Sequence, residues 1–489
     1  MQSMETDPYD RLPYTDHAYA ESHPNRLAVV ARLSGWHPPE LEQARILEIG
    51  CARGGNLLPM ATSLPRAALV GIDRSAGQVD DASRIVEATG LANVTVRCTG
   101  FETADFPPAS FDFVICHGLY SWIPMAARRA LLRGIGRWLA PSGVAYVSFN
   151  TLPGWYDRLA AKDWLRRSRA PGDDDPEGKT ALASLAWLTE QISPELLPYR
   201  RRLEQVLGRL QETDPAYLVH EYLSEEHHPE HVETFLGEAA DSGLAYLGDA
   251  IPSNTALELL PADVAVRVRD LDVSATQRTV DFVQCTSFRR ALLVRADTCG
   301  ARGWQFPQQL DPEALGSLRI ASRLRAEAND FFRGAQGSVQ VFDPAARAAL
   351  LELERAAPRS RAFRELPGSG SALASELFDL WLATGELDLY AFEPRMRSRA
   401  DGAPKAPALV RWQAENARPI TNLWHQEVRL PDSLVRRVLA HLDGTHSFEA
   451  LERDAGEAGL LGHASPADRR TLIRASVDLL AASALLVDG

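Results

Sequence analysis

The sequence predicts an α/β protein that begins with a doubly wound, mostly parallel sheet. Five short apolar runs alternate with helix-length segments between Arg45 and Asn150, which is the pattern of successive βαβ units. A turn of small residues joins the first run to its helix, and helix-rich sequence follows the fifth run. We therefore predict a doubly wound sheet with a helical insertion, a helical middle domain and a small α+β, winged-helix-like C-terminal domain.

The five predicted strands follow one another in a regular order. Their sequences are RILEIG, ALVGID, VTVRC, FDFVICH and VAYVSFN, and the helices between them are expected near residues 56–64, 77–89 and 124–138. Before the first strand, the run PNRLAVVARLSGW is predicted to be an amphipathic helix opened by Pro24. Such units build a parallel sheet with helices on both faces.

Helix-rich sequence from 155 to 213 is expected to be an insertion into this first domain, interrupted by a polar loop at 170–180. An insertion at this point lies beside the carboxyl ends of the strands, where doubly wound folds bind ligands. We therefore expect it to form a lid. The runs YLVHEYL and LAYLGDA are predicted to be the last two strands, with the helix PEHVETFLGEAADSG between them.

The later sequence is mainly helical and includes TVDFVQCTSFRRALLVRAD, which is predicted to be one helix. The Pro-, Gly- and Arg-rich stretch 356–371 is predicted to be a linker. The expected domains are 1–254, 255–370 and 371–489. Within the first domain, 155–213 is the insertion and 215–254 holds the last strands and a regulatory segment.

Composition narrows the classes of function. A chain of 489 residues with 45% apolar and 24% charged residues is an ordinary multidomain globular protein. Its net charge of −13 argues against nucleic-acid binding. Five scattered cysteines, the absence of a signal-peptide pattern and the absence of an apolar run of ~18 residues favour a cytoplasmic protein without a membrane segment. We expect no metal, and we leave the oligomeric state open, with a homodimer as one option.

The segment ILEIGCARGG carries the main functional signal. Gly50 and Gly54 suit a sharp strand-to-helix turn that lets a ligand approach bare backbone, and Ala52 is small enough for the middle position. Glu48 places a carboxylate at the strand tip, where it suits the cationic amino-acid end of S-adenosylmethionine and would repel a pyrophosphate. A solvated or capping role for Glu48 stays open. Cys51 and Asn56 complete the predicted cofactor loop.

The next two strand ends supply further candidate cofactor contacts. Asp73 follows Gly50 by 23 positions, close to the spacing at which an acidic residue binds ribose hydroxyls, and Arg74 is next to it. The alternative is that Asp73 only caps the following helix. Phe101 and Glu102 are candidates for the adenine ring and its amino group, or else a packed ring and a surface carboxylate.

Polar and aromatic residues at the fourth and fifth strand ends are candidates for catalysis. His117 either lines the cofactor pocket or acts as a base, and Tyr120 and Trp122 either surround the acceptor or pack in the core. Asn150 either bonds a ligand or starts the turn completed by Pro153 and Gly154. A further group, His227, His228 and His231, is predicted to be a solvated face and not a metal site.

These segments together resemble a known family. ILEIGCARGG, FDFVICHGLYSWIP, YVSFNTLPGW, YLVHEYL and the N-terminal YDRLPYTDHAY resemble bacterial class I methyltransferases that carry a methyltransferase regulatory domain, and are similar to the rickettsial outer-membrane-protein lysine methyltransferases. The resemblance implies a Rossmann-like domain that binds S-adenosylmethionine. It also implies that Tyr14 folds over the cofactor and that Tyr120, Trp122 and Tyr222 lie near the acceptor.

Three functions stay open at this point. The first is an S-adenosylmethionine-dependent methyltransferase acting on protein lysine side chains. The second is a small-molecule O- or N-methyltransferase of secondary metabolism, and the third is a regulatory protein that binds S-adenosylmethionine without catalysis. For a lysine acceptor, burial against aromatic walls would lower the pKa of the ammonium and release the nucleophilic amine.

Overall fold

A seven-stranded sheet lies at the centre of the first domain of the computed structural model, which describes residues 12, 16–169, 175, 177–299, 311–335, 337–399 and 402–487. The strand order is β3-β2-β1-β4-β5-β7-β6. The strands are β1 (Arg45–Ile49), β2 (Ala68–Asp73), β3 (Val94–Cys98), β4 (Phe111–Cys116), β5 (Leu139–Asn150), β6 (Leu244–Asp249) and β7 (Phe288–Arg295). Neighbours among the first five run parallel, and β7 is antiparallel to both β5 and β6. The predicted doubly wound sheet is confirmed.

Helices cover both faces of this sheet. The first four are α1 (Pro24–Leu33), α2 (Leu57–Ser63), α3 (Ala76–Thr89) and α4 (Met125–Trp138). As predicted, α1 begins at Pro24, and the side chain of His23 caps it by accepting from the amide of Asn25. Leu27 and Leu57 join the core on one face, whereas Leu131 of α4 joins the core on the other.

The predicted helical insertion is present as a layer with its own core. It contains α5 (Tyr156–Arg167), α6 (Lys179–Gln191), α7 (Leu197–Glu212), a helical turn at Pro215–Tyr217 and a π-helical segment at Leu218–Leu223. Trp155, Leu165, Leu185 and Leu203 meet in its interior. The return to the sheet is made by α8 (Val232–Asp241), followed by β6.

One predicted strand and one predicted helix are wrong at the end of this sheet. The run YLVHEYL is helical and not a strand, because Leu218 and Tyr222, four positions apart, bury against the insertion. The run TVDFVQCTSFRRALLVRAD divides at Cys285, which has a φ of 52°. The chain before it continues a helix, whereas the chain after it is β7, whose apolar run is buried between two neighbouring strands.

The middle of the chain combines helices with two three-stranded sheets. Its elements are α9 (Ala262–Val268), α10 (Val273–Gln284), β8 (Arg319–Ser322), β9 (Arg325–Ala326), β10 (Phe331–Gly334), β11 (Gly337–Gln340), α11 (Pro344–Ala356), β12 (Arg361–Ala362), α12 (Ser371–Thr384) and β13 (Leu387–Tyr390). The sheets have the orders β11-β10-β9 and β12-β8-β13. Because β7 belongs to the first sheet, that sheet extends into the range 255–370 predicted for the middle domain.

The predicted linker at 356–371 is wrong, because this stretch is packed. Phe363 and Leu366 are buried in one core with residues of α11 and α12, and β12 pairs with β8. A division of the chain at residue 370 would cut through this core. The Pro and Gly content of the stretch suits its two tight turns, and the apolar side chains between them anchor it.

The C-terminal part is a helical unit with a small hairpin. It contains α13 (Ala408–Glu415), β14 (Ile420–Thr421), β15 (Glu427–Val428), α14 (Ser433–Ala440), α15 (Phe448–Glu457) and α16 (Pro466–Ala482). One core joins these helices. Short 3₁₀ turns occur at Ala20–Ser22, Leu41–Gln43, Tyr120–Trp122, Pro194–Leu196, Pro252–Asn254, Leu257–Leu259, Ala296–Thr298, Pro312–Ser317 and Phe363–Glu365. Within the described ranges, no helix has both the length and the apolar character needed to cross a bilayer.

Candidate active site

The loop between β1 and α2 adopts the tight turn predicted for it. Gly50 and Gly54 have φ angles of 77° and 81°, a region in which glycine pays no steric cost. Ala52, at φ 47°, takes the left-handed conformation as well. Its amide donates to Oδ2 of Asp73 over 2.9 Å, which ties the loop to the end of β2.

A cavity of about 590 Å³ opens at the carboxyl edge of the sheet. It borders most of the residues predicted to bind the cofactor: Glu48, Gly50, Cys51, Ala52, Asn56, Asp73, Arg74, Phe101, Glu102 and His117. Trp122 and Asn150, predicted to act in catalysis, border it too. The doubly wound fold therefore brings residues from the ends of all five parallel strands, β1 to β5, into one site, as expected at this edge.

Glu48 has one carboxylate oxygen ready for a ligand. The side chain is 3% exposed, and its Oε1 accepts from Nδ2 of Asn56 over 2.7 Å. Oε2 has no hydrogen-bond partner among the described residues. Burial raises the pKa of Glu48 to about 8, with Asp73 adding to the rise and Asn56 opposing it. A cationic group placed in the cavity would satisfy Oε2 and favour its ionised form.

Asp73 both holds the loop and faces the cavity. Its Oδ1 accepts from the amide of Ser75 over 2.9 Å. Asp73 therefore also stabilises the chain just before α3, which is part of the helix-capping role given as the alternative to ribose binding. The actual N-cap of α3 is Ser75, whose hydroxyl accepts from the amide of Gln78. The carboxylate is thus oriented by two backbone donors at the point where a ribose hydroxyl is expected.

His117 forms the opposite wall within a stack of rings. Its ring lies 3.6 Å from that of Tyr19, with an interplanar angle of 20°. Its Nδ1 is 2.9 Å from the hydroxyl of Tyr146. Burial, and next the charge of Arg290, lower the pKa of His117 to about 3. The ring is therefore neutral and a weak base, which favours a lining role over the alternative of a general base.

Asn150 contacts His227, which packs among aromatic rings. The prediction that His227 belongs to a solvated face is wrong. His227 is 7% exposed instead of solvated, because its ring stacks on Trp122 at 4.2 Å and meets Trp155 edge-on at 4.3 Å. Nδ2 of Asn150 donates to Nε2 of His227 over 2.9 Å. Asn150 borders the cavity, and its amide oxygen has no hydrogen-bond partner among the described residues.

Two predicted acceptor residues lie away from the cavity. Tyr120 is fully buried, its hydroxyl donates to Oε2 of Glu238 over 2.5 Å, and its ring packs against Phe149 and Phe235. Tyr222 is also fully buried and packs near Trp155 in the insertion core. Neither residue borders the cavity, and their place beside the acceptor stays a prediction. Gly54 shapes the loop without lining the cavity, and Tyr14 lies outside the described residues.

Residues distant in sequence complete the walls, and sequence patterns did not reveal them. They come from the N-terminal arm, meaning the residues before α1, from the π-helical segment with the turn preceding it, and from β7: Asp16, His17, Tyr19, Glu21, Tyr217, His220, Glu221, Phe288 and Arg290. Nε2 of His220 is 2.6 Å from the carbonyl oxygen of Leu12, so arm and insertion meet over the site. The predicted lid pointed to the insertion and the resemblance to the segment around Tyr14, whereas β7 was predicted to be part of a helix.

The chain's first domain is a class I S-adenosylmethionine-dependent methyltransferase domain. Its sheet order with antiparallel β7 and its glycine turn agree with this class, and the unpartnered Oε2 of Glu48 fits the amino group of that cofactor. Residues 46–143 match the family model described as a methyltransferase domain. Residues 214–295 match the predicted methyltransferase regulatory domain, and 402–475 match the PKMT C-terminal winged helix domain. The predicted family resemblance, cofactor and winged helix are confirmed.

Two solved structures share the fold, and two uncharacterized proteins are similar in sequence. A solved structure of PKMT2 from Rickettsia typhi superposes with a TM-score of 0.83 at 23% identity, covering 97% of this chain and 100% of that one. Its complex with AdoHcy superposes with a TM-score of 0.81 at 22% identity over the same shares. The uncharacterized protein RP789 of Rickettsia prowazekii is 34% identical over 294 residues, 60% of this chain and 53% of that protein. The uncharacterized protein sll1526 of Synechocystis is 30% identical over 63% of this chain and 61% of its own length.

Proposed function

We propose that this protein transfers a methyl group from S-adenosylmethionine to the side-chain amine of a lysine in another protein. The observation that carries the proposal is the side-chain amide of Asn150, which is held by His227 and borders the cavity together with Trp122. The PKMT winged-helix match and the superposition on PKMT2 support a protein substrate. When bound, the cofactor would supply the methyl group, its sulfur keeping the electrons of the broken S–C bond. The acceptor nitrogen, present as the neutral amine, would form the new N–C bond and release a proton to bulk solvent once the methylated product leaves the site.

The residues of the wall suit a neutral amine. A lysine side chain is a flexible alkyl stem with an N–H donor at its tip, so its recognition needs an apolar surface and a hydrogen-bond acceptor. Trp122, Tyr217 and Phe288 supply rings, and the oxygen of Asn150 is an acceptor. Entry into this partly apolar space lowers the pKa of an ammonium group, because burial disfavours its charged form.

A dedicated base is not part of this proposal. Burial lowers the pKa of His117 to about 3 and that of His227 to about 2, so both rings are neutral near pH 7 and hold protons weakly. His227 instead orients the amide of Asn150 through its Nε2. The chain's own part in the reaction is then to exclude water, align the acceptor and stabilise the amine through Asn150.

The experiment uses methyl-labelled S-adenosylmethionine with purified protein and cell lysate. Label in protein, recovered as methylated lysine after hydrolysis, supports the proposal. Label in a small extractable product refutes lysine as acceptor, and cofactor binding without transfer supports the non-catalytic alternative. The chain itself contains three lysines, Lys162, Lys179 and Lys405, so label on the protein itself can be mapped by mass spectrometry.

Asn150→Ala tests the residue that carries the proposal. Loss of a hydrogen bond to the reacting nitrogen should lower kcat/KM about tenfold to hundredfold, while the affinity for S-adenosylhomocysteine stays unchanged. The matched control is Asn416→Ala, at an exposed asparagine whose side chain, among the described residues, bonds only the carbonyl of Trp412 in the preceding helix. Unchanged turnover of the Asn150 variant with a confirmed lysine substrate would remove Asn150 from the mechanism.

A further inference from the structure

The amide of Asn56 is a junction between the cofactor loop and three other parts of the chain. Its Oδ1 accepts from the backbone amide of Tyr19 over 2.9 Å, and its Nδ2 donates to Ser22 over 3.0 Å. The same Nδ2 donates to Oε1 of Glu48 over 2.7 Å. Because a backbone N–H can only donate, the orientation of this amide is set, and Asn56 must present its nitrogen to Glu48.

A residue of the C-terminal part makes a further contact with this junction. Nε2 of His425 lies 2.8 Å from Oδ1 of Asn56, across 369 positions of sequence. Since Oδ1 is an acceptor, Nε2 of His425 carries the proton and donates. His425 is 1% exposed and sits at the tip of the β14–β15 hairpin with a φ of 60°. Its amide donates to the carbonyl of Asn422, which holds the turn in shape.

Ion pairs bring the same hairpin region against the N-terminal arm. Oε1 of Glu427 is 2.7 Å from Nδ1 of His17, and this carboxylate raises the pKa of His17. The carboxylate of Asp16 forms ion pairs with Arg418 at 3.0 Å and with Arg53 of the cofactor loop at 3.2 Å. Asp16 and His17 both line the cavity. The hairpin, the arm and the cofactor loop are therefore joined around one edge of the site.

We propose that His425 is a positioning residue for the cofactor site. Through His425, the C-terminal part stabilises Asn56 and the Glu48 carboxylate in their ligand-binding arrangement. This inference rests on the proposed function, because it assigns a role in cofactor binding. The contact of His425 with Asn56 then couples two events: docking of the C-terminal part strengthens cofactor binding, and cofactor binding strengthens docking, since such coupling is reciprocal. In this proposal the N–H at Nε2 of His425 stabilises Asn56 through a hydrogen bond, and the size of the ring is not what matters.

The test compares two substitutions of His425 by calorimetry with S-adenosylhomocysteine on the full chain. His425→Phe keeps a ring but removes the donor, and His425→Gln keeps an N–H near the position of Nε2. We expect His425→Phe to weaken binding about tenfold, the effect of one buried hydrogen bond of ~1.4 kcal/mol, and His425→Gln to restore most of it. Equal loss in both variants, or no loss in His425→Phe, would overturn the proposal.

A double-mutant cycle identifies the path of the effect. In an Asn56→Ala background, His425→Phe should cause no additional loss of affinity, because its partner is already gone. A full additional tenfold loss in that background would show that His425 does not act through Asn56. His446→Phe is the matched control, since this histidine of the same part bonds Asp443 and lies outside the cavity lining.

Hydrogen exchange on the unmodified protein covers the case in which a variant does not fold. S-adenosylhomocysteine should slow amide exchange in the hairpin at 420–428 as well as in the cofactor loop at 50–56. Protection of the loop without the hairpin would overturn the coupling. If the unmodified protein binds no S-adenosylhomocysteine, the proposed function fails together with this inference, whereas normal binding with an unaffected His425→Phe variant refutes the inference alone.

Discussion

Cofactor binding should release a proton from Glu48. Burial places the pKa of this carboxyl at about 8 in the free protein, so about nine in ten molecules hold it protonated at pH 7. The amino group of S-adenosylhomocysteine is cationic at this pH, and a cation beside Oε2 stabilises the carboxylate. If the pKa of Glu48 falls to about 5 or below in the complex, binding near pH 7 releases close to one proton and affinity rises roughly tenfold per pH unit between pH 6 and 7.

The assay is calorimetry in buffers of different ionisation enthalpy, which counts the protons released per ligand bound. Glu48→Gln is nearly isosteric and has no proton to lose. It should bind more weakly at pH 8 and show neither the release nor the slope with pH. An unmodified protein that releases no proton at pH 6.5, or a Glu48→Gln variant with the same slope, would refute the reasoning.

The raised pKa of Glu48 should also make the protein less stable as pH rises. Glu48 has its pKa raised above the ordinary value of 4.5, so the folded protein binds more protons than the unfolded chain between pH 4.5 and 8. The contribution of Glu48 to stability is therefore lost as pH rises through this window. Glu48→Gln should flatten the fall in unfolding free energy relative to the unmodified protein, as measured by urea denaturation at several pH values.

Two further predictions concern the arm and the sheet. Gly55→Ala would place a Cβ 2.9 Å from the Cα of Asp16, so it should displace the arm and weaken binding of S-adenosylhomocysteine. The control is Gly237→Ala, where an added Cβ meets open space and should leave binding unchanged. Equal affinities of the two variants by calorimetry would contradict this prediction. Asp281→Asn should cost about 3–5 kcal/mol of unfolding free energy in urea, because it removes the carboxylate that lies 2.7 Å from the buried guanidinium of Arg289. A loss below about 1 kcal/mol would show that the pair is dispensable.

The cofactor loop was predictable because its signals are local. A glycine at a strand end, an acidic residue two positions before it and another at the tip of the next strand each act within one strand–turn–helix unit. Gly50, Glu48 and Asp73 accordingly line the cavity as predicted. The position of α1 followed from Pro24 for the same reason, since helix caps depend on adjacent residues.

The errors at the end of the sheet have a different cause. Apolar runs of similar length occur in β7 and in the π-helical segment, and periodicity alone does not separate a buried strand from a buried helix. Pairing with β5 and β6 makes the first a strand. Packing of Leu218 and Tyr222 against the insertion makes the second helical.

The sequence by itself determined the class of the first domain and the strand ends at which a cofactor meets it, because turns, caps and strand tips are set by neighbours along the chain. Only the tertiary structure decided which side chains reach the cavity. Tyr120 and Trp122 are two positions apart in one turn, yet one packs in the core and the other faces the site. His227 and His425 took their places through contacts with distant residues, and such contacts depend on packing that no local pattern encodes.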